Sequence, residues 1–247
     1  MRLYDDFIGG DYTSVTHAFT GGDSERQFLE NKPTQKDDWY YNYTPIEYSF
    51  NKLGHRTKNI EEIDLDNYIL FTGCSHTAGV GVELEKTYAH LLSKQLNVDY
   101  YNIAMPATGI DVLEYNLLTW VAKIKKKPKM VIIQLPDHSR YTKFGIDKHH
   151  LLEGGSWGKS YNERSFIVNS EDSGFFYARK LLSANLLETL ITCPIYKFNI
   201  TGQVSYSNNE ATVGTLDLAR DLSHPGILSN QHYVSVLYKL IAESSVS

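Results

Sequence analysis

The stretch Tyr68–Val82, YILFTGCSHTAGVGV, decides how this chain folds. It begins with a continuous apolar run, which is typical of a strand buried on both faces of a parallel sheet. The run stops at Thr72, and a Gly-containing loop with Ser75 follows before a segment of helical spacing. A serine on a strand-to-helix turn stands at the carboxyl edge of the sheet, where open α/β folds bind their ligands. Ser75 is therefore a candidate nucleophile, and the free N–H groups of the following helix would favour a developing negative charge.

Beyond this stretch the chain alternates helical and strand patterns. The spacing of apolar residues predicts four helices: over Tyr88–Leu96, from Asp111 onward, over Phe175–Thr192 and at the end of the chain. The apolar face of the second helix carries Leu113, Leu117, Val121 and Ile124. One face of the last helix carries Tyr233, Val236, Leu237, Leu240 and Ile241. Strands are predicted over Asp99–Ile103, Met130–Leu135 and Ile195–Ile200, with a loop over Gly202–Leu216. This alternation predicts a doubly wound, mostly parallel sheet with right-handed crossovers.

Residues 1–66 lack this alternation and are predicted to form an irregular N-terminal arm with a short β lead-in, ahead of an α/β domain over residues 67–247. The arm would pack on the body or on a neighbouring subunit. The aromatic cluster Trp39–Tyr43 favours a strand against the core over a sugar-binding platform, and Glu47–Phe50 has the pattern of a half-buried strand. Residues 141–174 are polar and Gly-rich, and we interpret them as an excursion over the site, a lid or a substrate wall that includes Trp157.

Composition excludes several classes of function. The net charge of −5 argues against nucleic acid as a partner, because it provides no general phosphate-attracting surface. No apolar run approaches the roughly 20 residues that span a bilayer, and the N-terminus lacks the apolar core of a secretory signal. Two cysteines make no disulfide framework. The 13% aromatic content favours surfaces suited to flat ligands such as sugars, although burial in the core explains most aromatic residues.

A second group of candidate catalytic residues lies near the C-terminus, where Asp221 precedes His224 by three residues and Pro225 follows. Pro225 biases the backbone of His224 toward an extended form. The Asp221 carboxylate can then hold one imidazole nitrogen and leave the other as a base. An isolated Asp-x-x-His-Pro is more often a capped turn, so its chemical meaning depends on pairing with Ser75.

Together, Gly73-Cys74-Ser75 and Asp221-x-x-His224-Pro225 resemble the motifs of the SGNH, or GDSL-type, hydrolases, over residues 68–247. The upstream segment Tyr48–Arg56 is similar to a lead-in of some bacterial and phage members. The resemblance implies a flavodoxin-like three-layer sandwich and ester hydrolysis through an acyl-enzyme, without cofactor or metal. Ser75 would attack, His224 would act as base and then acid, and Asp221 would orient it.

The family's oxyanion hole uses the N–H of the nucleophile, a Gly N–H after the second strand and an Asn side chain after the third. Besides Ser75 itself, the resemblance places Ala107 at the Gly position, with Gly109 two residues later, and His138 in the Asn position. Cys74 replaces the family's Asp before the nucleophile. A missing oxyanion donor typically costs about two to three decades in rate.

Other residues near these motifs each have two possible roles. His76 is interpreted as a loop residue or substrate contact rather than the base, because adjacent side chains diverge at such a turn. Arg140 could bind a substrate carboxylate or make a surface ion pair. Cys74 is disfavoured as a nucleophile, since a buried thiol beside a strand is usually inert.

The sequence thus predicts a serine esterase acting on an acyl ester, acetyl included, of a carbohydrate or small metabolite. Acyl transfer by the same residues is not separated from hydrolysis. The alternative is a binding or structural protein of the same fold with weak or no catalysis, for example in a virion. Expected partners are the ester substrate and, through the N-terminal arm, further copies or an assembly, with neither nucleic acid nor membrane. A cytoplasmic or virion-associated protein is expected.

Overall fold

A computed structural model describes residues 2–136, 140–144, 151–154, 190–200 and 211–244. In chain order its strands are β1 (Arg2–Tyr4), β2 (Phe7–Gly9), β3 (Val15–His17), β4 (Tyr48–Phe50), β5 (Tyr68–Thr72), β6 (Asp99–Asn102), β7 (Met130–Gln134), β8 (Tyr141–Phe144), β9 (Leu151–Gly154), β10 (Ile195–Ile200) and β11 (Ala211–Val213). The α-helices are α1 (Glu25–Asn31), α2 (Ser75–Ala78), α3 (Tyr88–Leu96), α4 (Ile110–Lys123) and α5 (Ile227–Ser244). Short 3₁₀ helices occupy Lys32–Thr34, Tyr40–Asn42, Ile60–Glu62 and Leu84–Lys86.

The central sheet is parallel, with the strand order β11-β10-β7-β5-β6. Its first strand in the chain, β5, lies between β6 and β7, which is the flavodoxin-like order 2-1-3-4-5. The predicted fold class is confirmed. The predicted loop over Gly202–Leu216, however, contains the edge strand β11, which the sequence analysis missed. Three residues are too few for a periodic pattern, and β11 becomes a strand by pairing with β10.

The side chains of β5 alternate between two hydrophobic cores, one on each face of the sheet. Phe71 packs in a cluster with Tyr88 of α3 and Leu237 of α5. Leu70 packs on the opposite face in a cluster with Trp120 of α4. All residues of β5 are buried, because both faces of the strand are covered. This layering holds the carboxyl end of β5, and the loop that follows it, in a rigid position.

Helix α4 presents a slightly different face from the one predicted. Leu113 and Leu117 are buried as expected, but Val121 is 40% exposed and Trp120 is buried in its place. At 3.6 residues per turn, Trp120 falls almost directly in line with Leu113, whereas Val121 lies further round the helix. Within the described ranges, no helix combines the length and apolar character needed to cross a bilayer.

The N-terminal segment, residues 2–66, packs on its own chain and is less irregular than predicted. β1 and β2 form an antiparallel pair, as do β3 and β4. Phe7 is buried against Trp120, with ring centroids 6.1 Å apart. The Ile8 N–H donates to Asn116 Oδ1 at 2.8 Å, and Asn116 Nδ2 donates to the Ile8 carbonyl at 2.9 Å. These contacts attach the segment to α4, close to the carboxyl edge of the sheet.

The predicted strand over Trp39–Tyr43 is wrong, since Tyr40–Asn42 form a 3₁₀ helix. This turn buries Tyr41 against Ile46 and Tyr48 while Tyr40 and Tyr43 stay exposed. Aromatic residues accept either backbone conformation, so tertiary packing decides between them.

Residues 141–154 include an antiparallel pair, β8 and β9, at the start of the predicted excursion. Trp157, His138 and most of the predicted helix over Phe175–Thr192 lie outside the described residues.

Candidate active site

Ser75 lies at the first turn after β5, at the carboxyl edge of the sheet. It begins the short helix α2 and is 4% exposed. Gly73 precedes it at a close approach, because a Cβ there would lie 2.3 Å from Thr77 Oγ1 and 2.9 Å from the Gln134 carbonyl oxygen. A side chain at position 73 would therefore displace either α2 or β7. The glycine of the Gly73-Cys74-Ser75 motif allows the loop that carries Ser75 to pack tightly over the end of β7.

Cys74 points into the protein and contacts β7 rather than solvent. It is fully buried, and its Sγ donates to Gln134 Oε1 at 2.9 Å. The Cys74 N–H donates to the same oxygen at 3.2 Å. Gln134 thus fixes the backbone immediately before Ser75, a role that the sequence analysis did not assign. The observed burial agrees with a structural thiol at this position.

Asp221 holds His224 in a tight local turn. The two side chains are hydrogen-bonded through Asp221 Oδ2 and His224 Nδ1. The second carboxylate oxygen, Oδ1, accepts from the backbone N–H groups of Ser223 at 3.1 Å and His224 at 3.0 Å. Asp221 is 3% exposed. With Nδ1 occupied by a carboxylate, the imidazole presents Nε2 as its free nitrogen.

Ser75 and His224 line the same cavity, which has a volume of about 650 Å³. Arg140 and Ala107 line it as well. No hydrogen bond joins Ser75 Oγ to His224 in the part of the chain that the structure describes. The two side chains are therefore related by the shared cavity and not by a direct hydrogen bond.

One wall of the cavity comes from the N-terminal segment, which sequence reasoning did not place at the site. These lining residues are Gly10, Asp11, Tyr12, Thr20, Gly21, Gly22, Tyr48, Phe50, Gly54 and Arg56. The resemblance of Tyr48–Arg56 to a family lead-in was the one sequence signal that pointed to this wall.

His76 packs against the ring of His224 instead of lining the cavity. The two ring centroids are 5.4 Å apart at an interplanar angle of 75°. Burial is the main reason that the pKa of His76 lies well below its ordinary value, and electrostatic interaction with the neighbouring His224 and Arg140 side chains lowers it further. His76 is therefore a neutral ring that supports His224, and its predicted contact with substrate stays a prediction.

Ala107 has a backbone conformation that favours glycine. Its φ is +62°, in the left-handed region, where a Cβ costs roughly 1–2 kcal/mol. The sequence resemblance expects a Gly at this position, and the observed left-handed backbone is one that glycine adopts without this cost. Gly109, two residues later, precedes α4, and a Cβ there would lie 2.4 Å from the Arg140 carbonyl oxygen. The oxyanion roles of Ala107, Gly109 and His138 remain predictions.

Neither a protein-family model nor a curated protein sequence matches this chain. Solved structures do show similarity. An acetyl xylan esterase from the rumen bacterium Butyrivibrio proteoclasticus is 12% identical, with a TM-score of 0.47, over 72% of this chain and 64% of its own. A psychrotrophic esterase from Pseudoalteromonas sp. is 13% identical, with a TM-score of 0.48, over 74% of this chain and 100% of its own.

A lipolytic protein of the G-D-S-L family from Veillonella parvula is 13% identical, with a TM-score of 0.34, over 72% of this chain and 74% of its own. The chain spans slightly less than two thirds of the length of the acetyl xylan esterase.

Proposed function

We propose that this protein is a serine esterase that cleaves an acyl ester of a carbohydrate or another small metabolite. The observation that carries the proposal is the arrangement of three residues. Ser75 and His224 line one cavity, and buried Asp221 bonds the far side of the His224 ring. A hydroxyl, an imidazole and a carboxylate in this order are what nucleophilic acyl transfer requires.

In the proposed reaction, His224 Nε2 takes the proton of Ser75 Oγ as the oxygen attacks the ester carbonyl. The tetrahedral intermediate collapses when His224 returns the proton to the leaving alcohol, which leaves an acyl group on Ser75. Water, deprotonated by the same imidazole, then releases the acid. Asp221 keeps Nδ1 protonated and stabilises the imidazolium that forms in both halves of the cycle.

The developing oxyanion needs donors close to Ser75. We assign this role to the backbone N–H groups of Ser75 and Ala107, with Gly109 and His138 as further candidates. Ala107 supports the assignment because it lines the cavity and keeps the left-handed backbone of a glycine.

A carbohydrate fits the wall that the N-terminal segment contributes. Tyr12 is 43% exposed and lies at the cavity with Phe50, their ring centroids 5.8 Å apart. Exposed aromatic faces suit the apolar faces of sugar rings, and Asp11 and Arg140 add polar groups to the same cavity. A volume of about 650 Å³ falls within the usual range of small-molecule sites.

The test is labelling with a fluorophosphonate probe, which reports an activated serine without requiring the natural substrate. We expect the wild-type protein to be labelled at Ser75 and Ser75→Ala to be unlabelled with an unchanged thermal transition. Hydrolysis of acetylated sugars and short esters is then screened with the same pair. Equal labelling of both proteins would contradict the proposal.

A binding or structural role is the second candidate, and the absence of a direct hydrogen bond between Ser75 and His224 in the described structure favours it. Under this hypothesis the cavity holds a ligand without turnover. A folded wild-type protein that resists the probe but binds a carbohydrate in calorimetry would establish this role.

A further inference from the structure

A buried ion pair links the N-terminal segment to the loop that carries His224. Asp23 is fully buried and Arg220 is 3% exposed. Arg220 Nη2 lies 2.8 Å from Asp23 Oδ2, and Arg220 Nε donates to the two carboxylate oxygens at 3.2 and 3.0 Å. Arg220 also donates to the Ala18 carbonyl at 2.6 Å. Because Arg220 immediately precedes Asp221, this pair fixes the chain on which the proposed base and its carboxylate stand.

Tyr48 extends the same network to the loop that follows Ser75. Its hydroxyl donates to Asp23 Oδ2 at 2.5 Å and accepts from the Gly81 N–H at 2.8 Å. The Arg220 N–H in turn donates to the Gly81 carbonyl at 3.1 Å. Gly81 has a φ of +85°, and a Cβ there would lie 2.5 Å from Ala219 Cβ. The loop that follows Ser75 and the loop that carries His224 are thus in direct contact, and groups of the N-terminal segment join them.

The turn that carries Asp23 also reaches the imidazole itself. Thr20 and Asp23 form a bridge that closes this turn. A Cβ at Gly22 would lie 3.7 Å from His224 Cε1 and 3.2 Å from Val80 Cγ1. The Gly22 backbone therefore lies close against both loops, and a movement of Asp23 would alter the space available to the His224 ring.

Buried ion pairs are weak sources of stability, because removing two charges from water offsets much of their attraction. Arg220 Nε donates twice to the Asp23 carboxylate, which also accepts from Tyr48, while Arg220 Nη2 donates to a backbone carbonyl. Two buried charges held by this many hydrogen bonds are better explained by a need for defined geometry. We propose that Asp23, Tyr48 and Arg220 form a positioning network by which the N-terminal segment sets the geometry of His224 relative to Ser75. The kinetic part of this inference rests on the proposed esterase function.

The test uses Tyr48→Phe, which removes the bridging hydroxyl and keeps the buried ring. Asp23→Ala is unsuitable, because it would leave Arg220 as an unpaired buried charge. A second variant, Asp23→Asn with Arg220→Gln, neutralises both partners while keeping a polar side chain at each position. The matched control is Tyr41→Phe, which removes a hydroxyl from another buried tyrosine of the same aromatic cluster.

The first readout is the NMR signal of the His224 Nδ1–H in protein labelled with ¹⁵N-histidine, which needs no turnover. We expect a slowly exchanging low-field signal in wild type and Tyr41→Phe, broadened or lost in Tyr48→Phe and in the double variant. The second readout is kinetic, with kcat or the labelling rate about tenfold lower in Tyr48→Phe and KM within twofold of wild type.

An unchanged His224 signal in folded Tyr48→Phe would overturn the inference, and so would equal effects in Tyr48→Phe and Tyr41→Phe. Failure of the proposed function is distinguishable, since a wild type that is never labelled would still show the NMR difference between the two variants.

Discussion

Replacing Asp221 by Asn tests the proposed relay at its most buried member. In the structure, Asp221 Oδ1 accepts from two backbone N–H groups at 3.1 and 3.0 Å, and an Asn oxygen can keep both bonds. The other oxygen, which bonds His224 Nδ1, becomes an NH₂ group. The imidazole must then accept at Nδ1 and carry its proton on Nε2, so it can no longer take the proton of Ser75.

The magnitude follows from this tautomer exchange. Holding the wrong tautomer in an otherwise intact relay lowers kcat by about 10⁴-fold, which corresponds to ~5.5 kcal/mol of transition-state stabilisation. The fold should lose less, about 1.5–3 kcal/mol, because only one charge-assisted hydrogen bond is removed. The assay is the second-order rate of fluorophosphonate labelling, followed by intact mass, with thermal unfolding measured in parallel.

Asp217→Asn is the matched control, since Asp217 lies in the same loop but bonds the start of α5. Its oxygens accept from the N–H groups of Leu228 at 3.0 Å and Ser229 at 2.8 Å. We expect a loss of about 1 kcal/mol in stability and a labelling rate within twofold of wild type. A folded Asp221→Asn protein that is labelled within tenfold of the wild-type rate would refute the assigned relay.

Three further predictions test the surroundings of the site. Cys74→Ser should be labelled at the wild-type rate with about 1 kcal/mol less stability, because its thiol bonds Gln134 and faces away from the cavity; loss of labelling in a folded protein would make Cys74 part of the chemistry. Ala107→Gly should stay within about 0.5 kcal/mol of wild type in urea unfolding, since relief of the left-handed strain is offset by entropy of the unfolded chain, whereas Ala107→Val should be destabilised and slower. Tyr12→Ala should raise KM for an acetylated sugar at least fivefold and leave hydrolysis of p-nitrophenyl acetate unchanged, and equal effects on both substrates would remove Tyr12 from the sugar-binding wall.

Local patterns in the sequence were sufficient to predict an element wherever its structure depends on residues close together in the chain. Tyr88–Leu96 is a helix with the predicted bounds, and Ile195–Ile200 is a strand with the predicted bounds. The same holds for the Asp221–His224 turn, whose hydrogen bond joins residues three apart. In these places the physical cause is local, so the spacing of residue types records it.

The sequence by itself determined the parallel α/β architecture and marked Ser75, Asp221 and His224 as the residues to examine. Only the tertiary structure decided that parts of the N-terminal segment line the cavity, that Tyr41 lies in a 3₁₀ turn, and that Asp23 pairs with Arg220. The physical reason is the range of the interactions. Asp23 and Arg220 belong to distant parts of the chain. In the sequence, each would be interpreted by itself as an ordinary surface charge. Water screens their attraction until the fold buries the two charges next to each other. No periodicity along the chain therefore predicts the pair.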